Sequence, residues 1–166
     1  MALTVEDGTG VAGANSYVTL AEARSYATDR GLSLPADDAA LSVLLVKAWE
    51  YIDMEPRGLY KGDKTYLTPE TAKWPRTGVI VDRVEYDAAV VPGAIKKAQI
   101  QAAVDIQTTD PTPVLAGNQI KREKVDVLET EYAIDYKAGQ KAPTLTKVDM
   151  LLQPFLRYTS LRVTRI

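Results

Sequence analysis

The sequence has 166 residues, with 20 basic residues against 22 acidic ones and a formal net charge of −2. It contains neither histidine nor cysteine, which excludes disulfides, thiolate chemistry, Ser-His-Asp catalysis and the usual zinc and haem sites. No apolar run approaches the ~18 residues of a membrane span, and no signal-peptide pattern opens the chain, so we expect no membrane partner. We expect one domain over residues 1–156, followed by a tail over residues 157–166.

The first motif in the chain is a G-x-G-x-x-G run, Gly8-Thr9-Gly10-Val11-Ala12-Gly13. In dinucleotide-binding folds this motif leaves a strand and opens a helix, and a second strand follows that helix. Here the helical pattern begins only at Leu20, and residues 31–35 are too short for the second strand. The run therefore predicts a mobile loop with glycines at positive φ, and no bound phosphate or nucleotide cofactor.

Capping residues and apolar periodicity predict four helices. The first begins with the capping box Thr19-Leu20-Ala21-Glu22 and ends at Gly31, a residue suited to the left-handed conformation after a helix. The second begins at Asp37 and Asp38, whose carboxylates suit a helix N-terminus and need no catalytic explanation. The predicted helices cover residues 20–30, 38–54, 92–108 and 147–156.

The segments between these helices are predicted to be irregular or extended. Residues 56–91 are interrupted by glycine and proline, which favours an inserted loop or β-hairpin region with a short strand at 79–81. Residues 118–137 alternate partly between apolar and charged side chains, as in an extended arm of one or two strands. The fold class is therefore mainly α: a small helical bundle of about four helices with an inserted loop or β-hairpin region and an extended C-terminal arm.

Two further segments imitate chemical sites. Residues 58–65 resemble a phosphate-binding loop, but Asp63 stands where it would repel a phosphate, so we predict an exposed polar turn. Asp53 and Glu55 are adjacent to a predicted helix end, where we expect them to be solvated. Without a third convergent ligand they make neither a catalytic nor a metal site, and no catalytic, cofactor-binding or metal-binding residue is predicted.

The tripeptide Trp74-Pro75-Arg76 has two interpretations. Trp74 could anchor its loop onto the helices, with Arg76 holding a carboxylate or stacking on an aromatic ring. Alternatively, Trp74 and Arg76 could stack on the bases of single-stranded DNA. We favour the anchor because one aromatic residue is a poor stacking platform. Tyr17 is a further candidate for an anchor or interface role.

The basic tail is the best candidate for a partner-binding element. It carries three arginines and no acid, interleaved with apolar residues that are common in strands and interfaces. A frayed chain end is the other interpretation. The docking candidates are Arg157, Tyr158, Leu161, Arg162, Val163, Arg165 and Ile166.

Several segments, taken in chain order, together resemble a family of tailed-phage head-tail connector (adaptor) proteins. The same family is also labelled DnaT-like and single-stranded-DNA-binding. The similarity covers most of the chain as scattered motifs, and no single motif is diagnostic. The motifs include Ala14-Asn15-Ser16-Tyr17-Val18-Thr19, Tyr51-Ile52-Asp53, Trp74-Pro75-Arg76, Val91-Pro92 and Leu151-Leu152-Gln153-Pro154-Phe155-Leu156.

The resemblance implies a structural virion protein at the head-tail interface, made in the host cytoplasm and without enzymatic activity. Such adaptors form a ring, dodecameric in this interpretation, that lies below the portal and extends the DNA channel toward a tail-side protein. The tail from Arg157 would then dock onto the portal. The DnaT-like label implies instead a replication accessory protein with a basic groove and several exposed aromatic residues. The net charge of −2 favours the channel protein, through which DNA passes without specific binding.

Overall fold

The structure is a computed structural model that describes residues 2–53, 59–68, 70–108, 122–125, 128–131 and 145–157. It confirms a mainly α fold with a small β-hairpin region. The observed helix bounds differ from the predicted ones by a few residues at most, except that the last helix changes to a 3₁₀ turn before Pro154. The helices are α1 (Leu20–Asp29), α2 (Asp38–Asp53), α3 (Gly93–Ile106) and α4 (Thr146–Leu152), and the 3₁₀ turn is Gln153–Phe155.

Within the described residues, the strands form three antiparallel pairs, each made of two short strands. Two pairs lie in the insertion between α2 and α3, and the third lies in the predicted arm. Their partners are β1 (Asp63–Lys64) with β2 (Arg76–Thr77), β3 (Ile80–Val81) with β4 (Val84–Glu85), and β5 (Arg122–Val125) with β6 (Leu128–Glu131). In the β1–β2 pair Lys64 lies directly opposite Arg76.

The predicted helix caps are confirmed. The Thr19 hydroxyl accepts from the backbone N–H of Glu22 at 3.1 Å, and the Glu22 carboxylate accepts from the N–H of Thr19 at 2.7 Å. Asp37 accepts from the N–H of Ala40 at 2.8 Å at the start of α2. Gly31 follows α1 with a φ of +61°, which a residue with a Cβ adopts only at a cost.

Helix α3 packs against α2 and α4, and alanines on its buried face let the helices approach closely. Its buried Gln99 ties three parts of the chain together. The Gln99 amide donates to Leu45 O and to the Ser16 hydroxyl, both at 2.9 Å, and its carbonyl oxygen accepts from Tyr17 N at 2.8 Å. The N-terminal segment is thereby fixed to the helices through a polar group that periodicity alone does not reveal.

The glycine run of residues 8–13 takes positive φ at Gly8, Gly10 and Gly13, as predicted. It is nevertheless not the free, mobile loop that the sequence suggested. The loop wraps around the buried carboxylate of Glu6 and packs against the ring of Tyr66. The sequence does not predict the burial of Glu6, because a glutamate is rarely buried. Its side chain is tolerated inside the protein only where its oxygens are hydrogen-bonded.

Candidate nucleic-acid interface

Trp74 lies in the core of the molecule with 0% of its surface exposed. Its ring meets Tyr60 edge-on at 5.4 Å between centroids and Phe155 at 5.7 Å. The following Pro75, joined through a cis peptide bond, is buried as well. Trp74 therefore has no free ring face on which a base could stack.

Tyr17 holds the same loop from the other side. Its hydroxyl donates to Asp53 Oδ1 at 2.6 Å and accepts from Trp74 N at 3.3 Å, while Asp53 Oδ2 accepts from Lys73 N at 3.1 Å. Burial, and then the carboxylate of Asp53, raises the pKa of Tyr17; burial likewise raises the pKa of Asp53. The prediction that Asp53 is solvated is wrong, because the incoming loop covers it. Glu55 lies outside the described residues.

Arg76 is buried and binds backbone rather than a carboxylate. Its Nε donates to Lys61 O at 2.8 Å, its Nη1 to Lys73 O at 3.2 Å and its Nη2 to Gly62 O at 2.7 Å. Burial, followed by the positive charge of Arg157, lowers the pKa of Arg76. The guanidinium thus fixes the turn of residues 61–62 while keeping its charge inside the protein.

Arg157 reaches the same turn from the other end of the chain. Two backbone hydrogen bonds of 2.7 Å pair residues 155–157 with residues 59–61. The Arg157 Nη2 then donates to Gly62 O at 2.7 Å and lies 3.6 Å from Asp63 Oδ1. The guanidinium groups of Arg76 and Arg157 therefore donate to the same carbonyl oxygen, that of Gly62. In the sequence, Arg76 belongs to the candidate anchor and Arg157 is the first residue of the basic tail.

We refer to the basic residues around this turn as the basic cluster. Asp63 lies 3.6 Å from Arg157, and its side chain is 84% exposed. Asp53 is the second acid, since its carboxylate interacts with Lys64 and Lys73. Five basic residues thus face these two acids, so positive charge is in excess and an anion such as a phosphate is the fitting partner. The basic cluster comprises Lys61, Lys64, Lys73, Arg76 and Arg157.

No local pattern in the sequence indicates this convergence, because Arg76 and Arg157 meet only through packing. The described part of residues 58–65 is more than an exposed polar turn, because the carbonyl oxygens of Lys61 and Gly62 accept hydrogen bonds from Arg76. Except for Arg157, the docking candidates lie outside the described residues, so their role stays a prediction: Tyr158, Leu161, Arg162, Val163, Arg165 and Ile166.

Neither a metal site nor a membrane span is found in the described parts of the chain. There, no three acidic side chains come together as metal ligands. Within the same residues no helix is long and apolar enough to cross a bilayer.

One comparison with known proteins gives a match. A family model described as "Putative DnaT-like ssDNA binding protein" matches residues 1–166. No curated protein and no solved structure matches the chain. The description names single-stranded DNA and not a virion connector, so it agrees with the second of the two labels of the resemblance.

Proposed function

The chain belongs to this DnaT-like family, and from that premise we propose that it binds single-stranded DNA through backbone phosphates at the basic cluster. The observation that supports the proposal is the convergence of Arg76 and Arg157 on the carbonyl oxygen of Gly62. Charge-assisted hydrogen bonds from arginine suit phosphate oxygens, and such contacts carry most sequence-independent affinity for nucleic acid.

The residues of the cluster have different roles in this proposal. Three backbone carbonyls accept hydrogen bonds from Arg76, so it stabilises the turn and contributes its positive charge from a buried position. Arg157, whose side chain is 56% exposed, and the partly exposed Lys61 reach the phosphates directly. Asp63 gives up its ion pair with Arg157 when a phosphate arrives. Because Trp74 offers no stacking surface, the proposed contacts are made to the phosphates, which carry no sequence information.

Fluorescence anisotropy with a labelled oligonucleotide tests the proposal. If about three phosphates are neutralised, the affinity falls roughly twentyfold between about 50 and 200 mM salt, a logarithmic slope of about −2. The double variant Lys61→Gln, Arg157→Gln should bind about tenfold more weakly, with a slope reduced to about −0.7. Both side chains are at least partly exposed, so the fold should be kept.

The matched control changes two lysines exposed on other elements, Lys47→Gln on α2 and Lys97→Gln on α3. It removes the same charge and should retain nearly all of the affinity. An equal loss in both double variants would show that net charge, not the basic cluster, governs binding. Absence of any binding at low salt would overturn the proposal.

A head-tail adaptor remains our second proposal. It is supported by the order of the family-like motifs and by exposed apolar side chains on the insertion, at Leu67, Ile80 and Val84, which would make subunit contacts. This function would place the protein in the virion, as a ring between the portal and a tail-side protein. An adaptor should bind oligonucleotides weakly or not at all at moderate salt, so the same titration separates the two proposals.

A further inference from the structure

The glycine run of residues 8–13 takes no part in the proposed function, yet it encloses an anion. Glu6 Oε1 accepts from the N–H of Gly8 at 2.8 Å and from that of Gly10 at 2.9 Å. Glu6 Oε2 accepts from the N–H of Val11 at 2.7 Å. We call these three N–H groups the glycine nest. Glu6 itself is fully buried, so its carboxylate depends on the nest for its hydrogen bonds.

The shape of the glycine nest is supported by contacts that do not involve Glu6. Gly8, with a φ of +112°, lies so close to the carbonyl oxygen of Ala89 that a Cβ would overlap with it. Gly10, with a φ of +78°, lies against the ring of Tyr66. The Tyr66 hydroxyl also donates to Gly8 O at 3.2 Å. The N–H groups are therefore held in place by the insertion on the far side of the loop.

We propose that the glycine nest is a carboxylate-binding site that Glu6 fills from within the chain. Successive backbone N–H groups in such turns form anion-binding concavities. A planar anion with two oxygens matches the arrangement, since one oxygen takes two donors and the other takes one. The sequence thus carries a phosphate-like glycine motif whose anion site is already occupied by its own carboxylate.

The variant Glu6→Ala tests this inference, because it deletes a fragment the size of acetate. Three buried donors lose their acceptor, so the thermal unfolding midpoint should fall by roughly 5–10 °C. Sodium acetate should restore several degrees relative to sodium chloride at equal ionic strength. Formate should restore less, because it fills less of the space, and propionate should restore little, because it is too large.

Two controls separate binding from general salt effects on stability. The wild-type protein has no vacant nest, so the difference between its midpoints in acetate and in chloride gives the general salt effect alone. Asp7→Ala removes a neighbouring, exposed carboxylate that accepts from Thr9 N at 3.0 Å, and acetate should not rescue it. If Glu6→Ala responds to the three carboxylates no differently from these controls, the inference is wrong.

Glu6→Gln provides a second test that does not depend on the stability of the alanine variant. Its carbonyl oxygen can still accept from Gly8 and Gly10, but its amide group turns a donor toward the N–H of Val11. Hydrogen exchange at Val11 should therefore accelerate at least tenfold, while exchange at Gly8 and Gly10 changes less. Unchanged exchange at all three amides would overturn the inference.

Discussion

At the scale of single residues, Asp53 connects the helical core to the insertion. It is the last residue of α2, and its carboxylate holds both the Tyr17 hydroxyl and the backbone N–H of Lys73. Burial raises its pKa, although the hydrogen bonds from Tyr17 and Lys73 act in the opposite direction. The folded state therefore binds a proton more readily at Asp53 than the unfolded chain does.

This sign makes a prediction for Asp53→Asn. The contribution of Asp53 to the free energy of unfolding is largest below its ordinary pKa of 3.8 and falls as the pH rises through the higher folded value. The asparagine does not titrate, so the difference in the free energy of unfolding between the wild type and Asp53→Asn follows the pH dependence of Asp53 alone. Asp53→Asn should therefore cost more near pH 4 than near pH 7.

Urea unfolding between about pH 4 and pH 7 measures this difference. Glu50→Gln, which changes an exposed acid on the same helix, serves as the control, and its cost should be small. A cost of Asp53→Asn that grows with pH would mean that the hydrogen bonds outweigh burial and that the pKa of Asp53 is lowered.

At the scale of elements, the two-residue strands β1 and β2 are too short to be stable by their own ladder. Their turn is fixed by Arg76 and by the segment 155–157, both of which bond to backbone groups of residues 59–62. Gly62 lies at the centre of this arrangement with a φ of +67°. A Cβ there would overlap with the carbonyl oxygen of Thr77 in β2.

Gly62→Ala should therefore destabilise the protein by more than the ~1–2 kcal/mol of a left-handed alanine. Gly78→Ala is a close control, because Gly78 has a φ of +69° and open space where a Cβ would lie. Chemical denaturation of both variants gives the difference. Equal losses would show that the contact with Thr77 carries no cost. Gly62→Ala should also weaken oligonucleotide binding, since it displaces the carbonyl that the two arginines share.

The elements were more predictable from the sequence than the candidate site was. Helices α1 and α2 follow from local signals, such as the Thr19–Glu22 capping box and Asp37, which act within one turn of chain. The shared acceptor of Arg76 and Arg157 depends on tertiary packing, which leaves no periodic trace. The burial of Asp53 was missed for the same reason, because the covering loop comes from the distant segment around Lys73.

At the scale of the whole molecule, two separate segments of the chain bind the insertion between α2 and α3. The glycine run contacts it at Tyr66, while Gly13 N donates to Glu70 O at 3.1 Å. From the opposite side, Phe155 packs its ring against Trp74 and, at 5.3 Å, against Tyr86. Within the described residues, the C-terminal contacts with the insertion are therefore made by residues 155–157.

This arrangement predicts two different outcomes for truncation. Removing residues 158–166 should leave the thermal midpoint within about 2 °C, whereas removing residues 155–166 should lower it by roughly 10 °C through loss of the Phe155 ring. Under the adaptor proposal, the shorter deletion should also abolish attachment to portal rings in negative-stain images. Normal attachment by a folded protein lacking residues 158–166 would contradict the docking role of the tail.

The enclosed position of Trp74 has an optical consequence. The chain has two tryptophans. Trp74 is fully buried, contacts the rings of Tyr60 and Phe155 and precedes Arg76 by two residues, whereas Trp49 is only partly buried. An indole in such surroundings emits at shorter wavelength than one in water, and its emission responds to small shifts of nearby charges. The protein therefore carries its own fluorescent reporter beneath the basic cluster, and a Trp49→Phe background would isolate its signal.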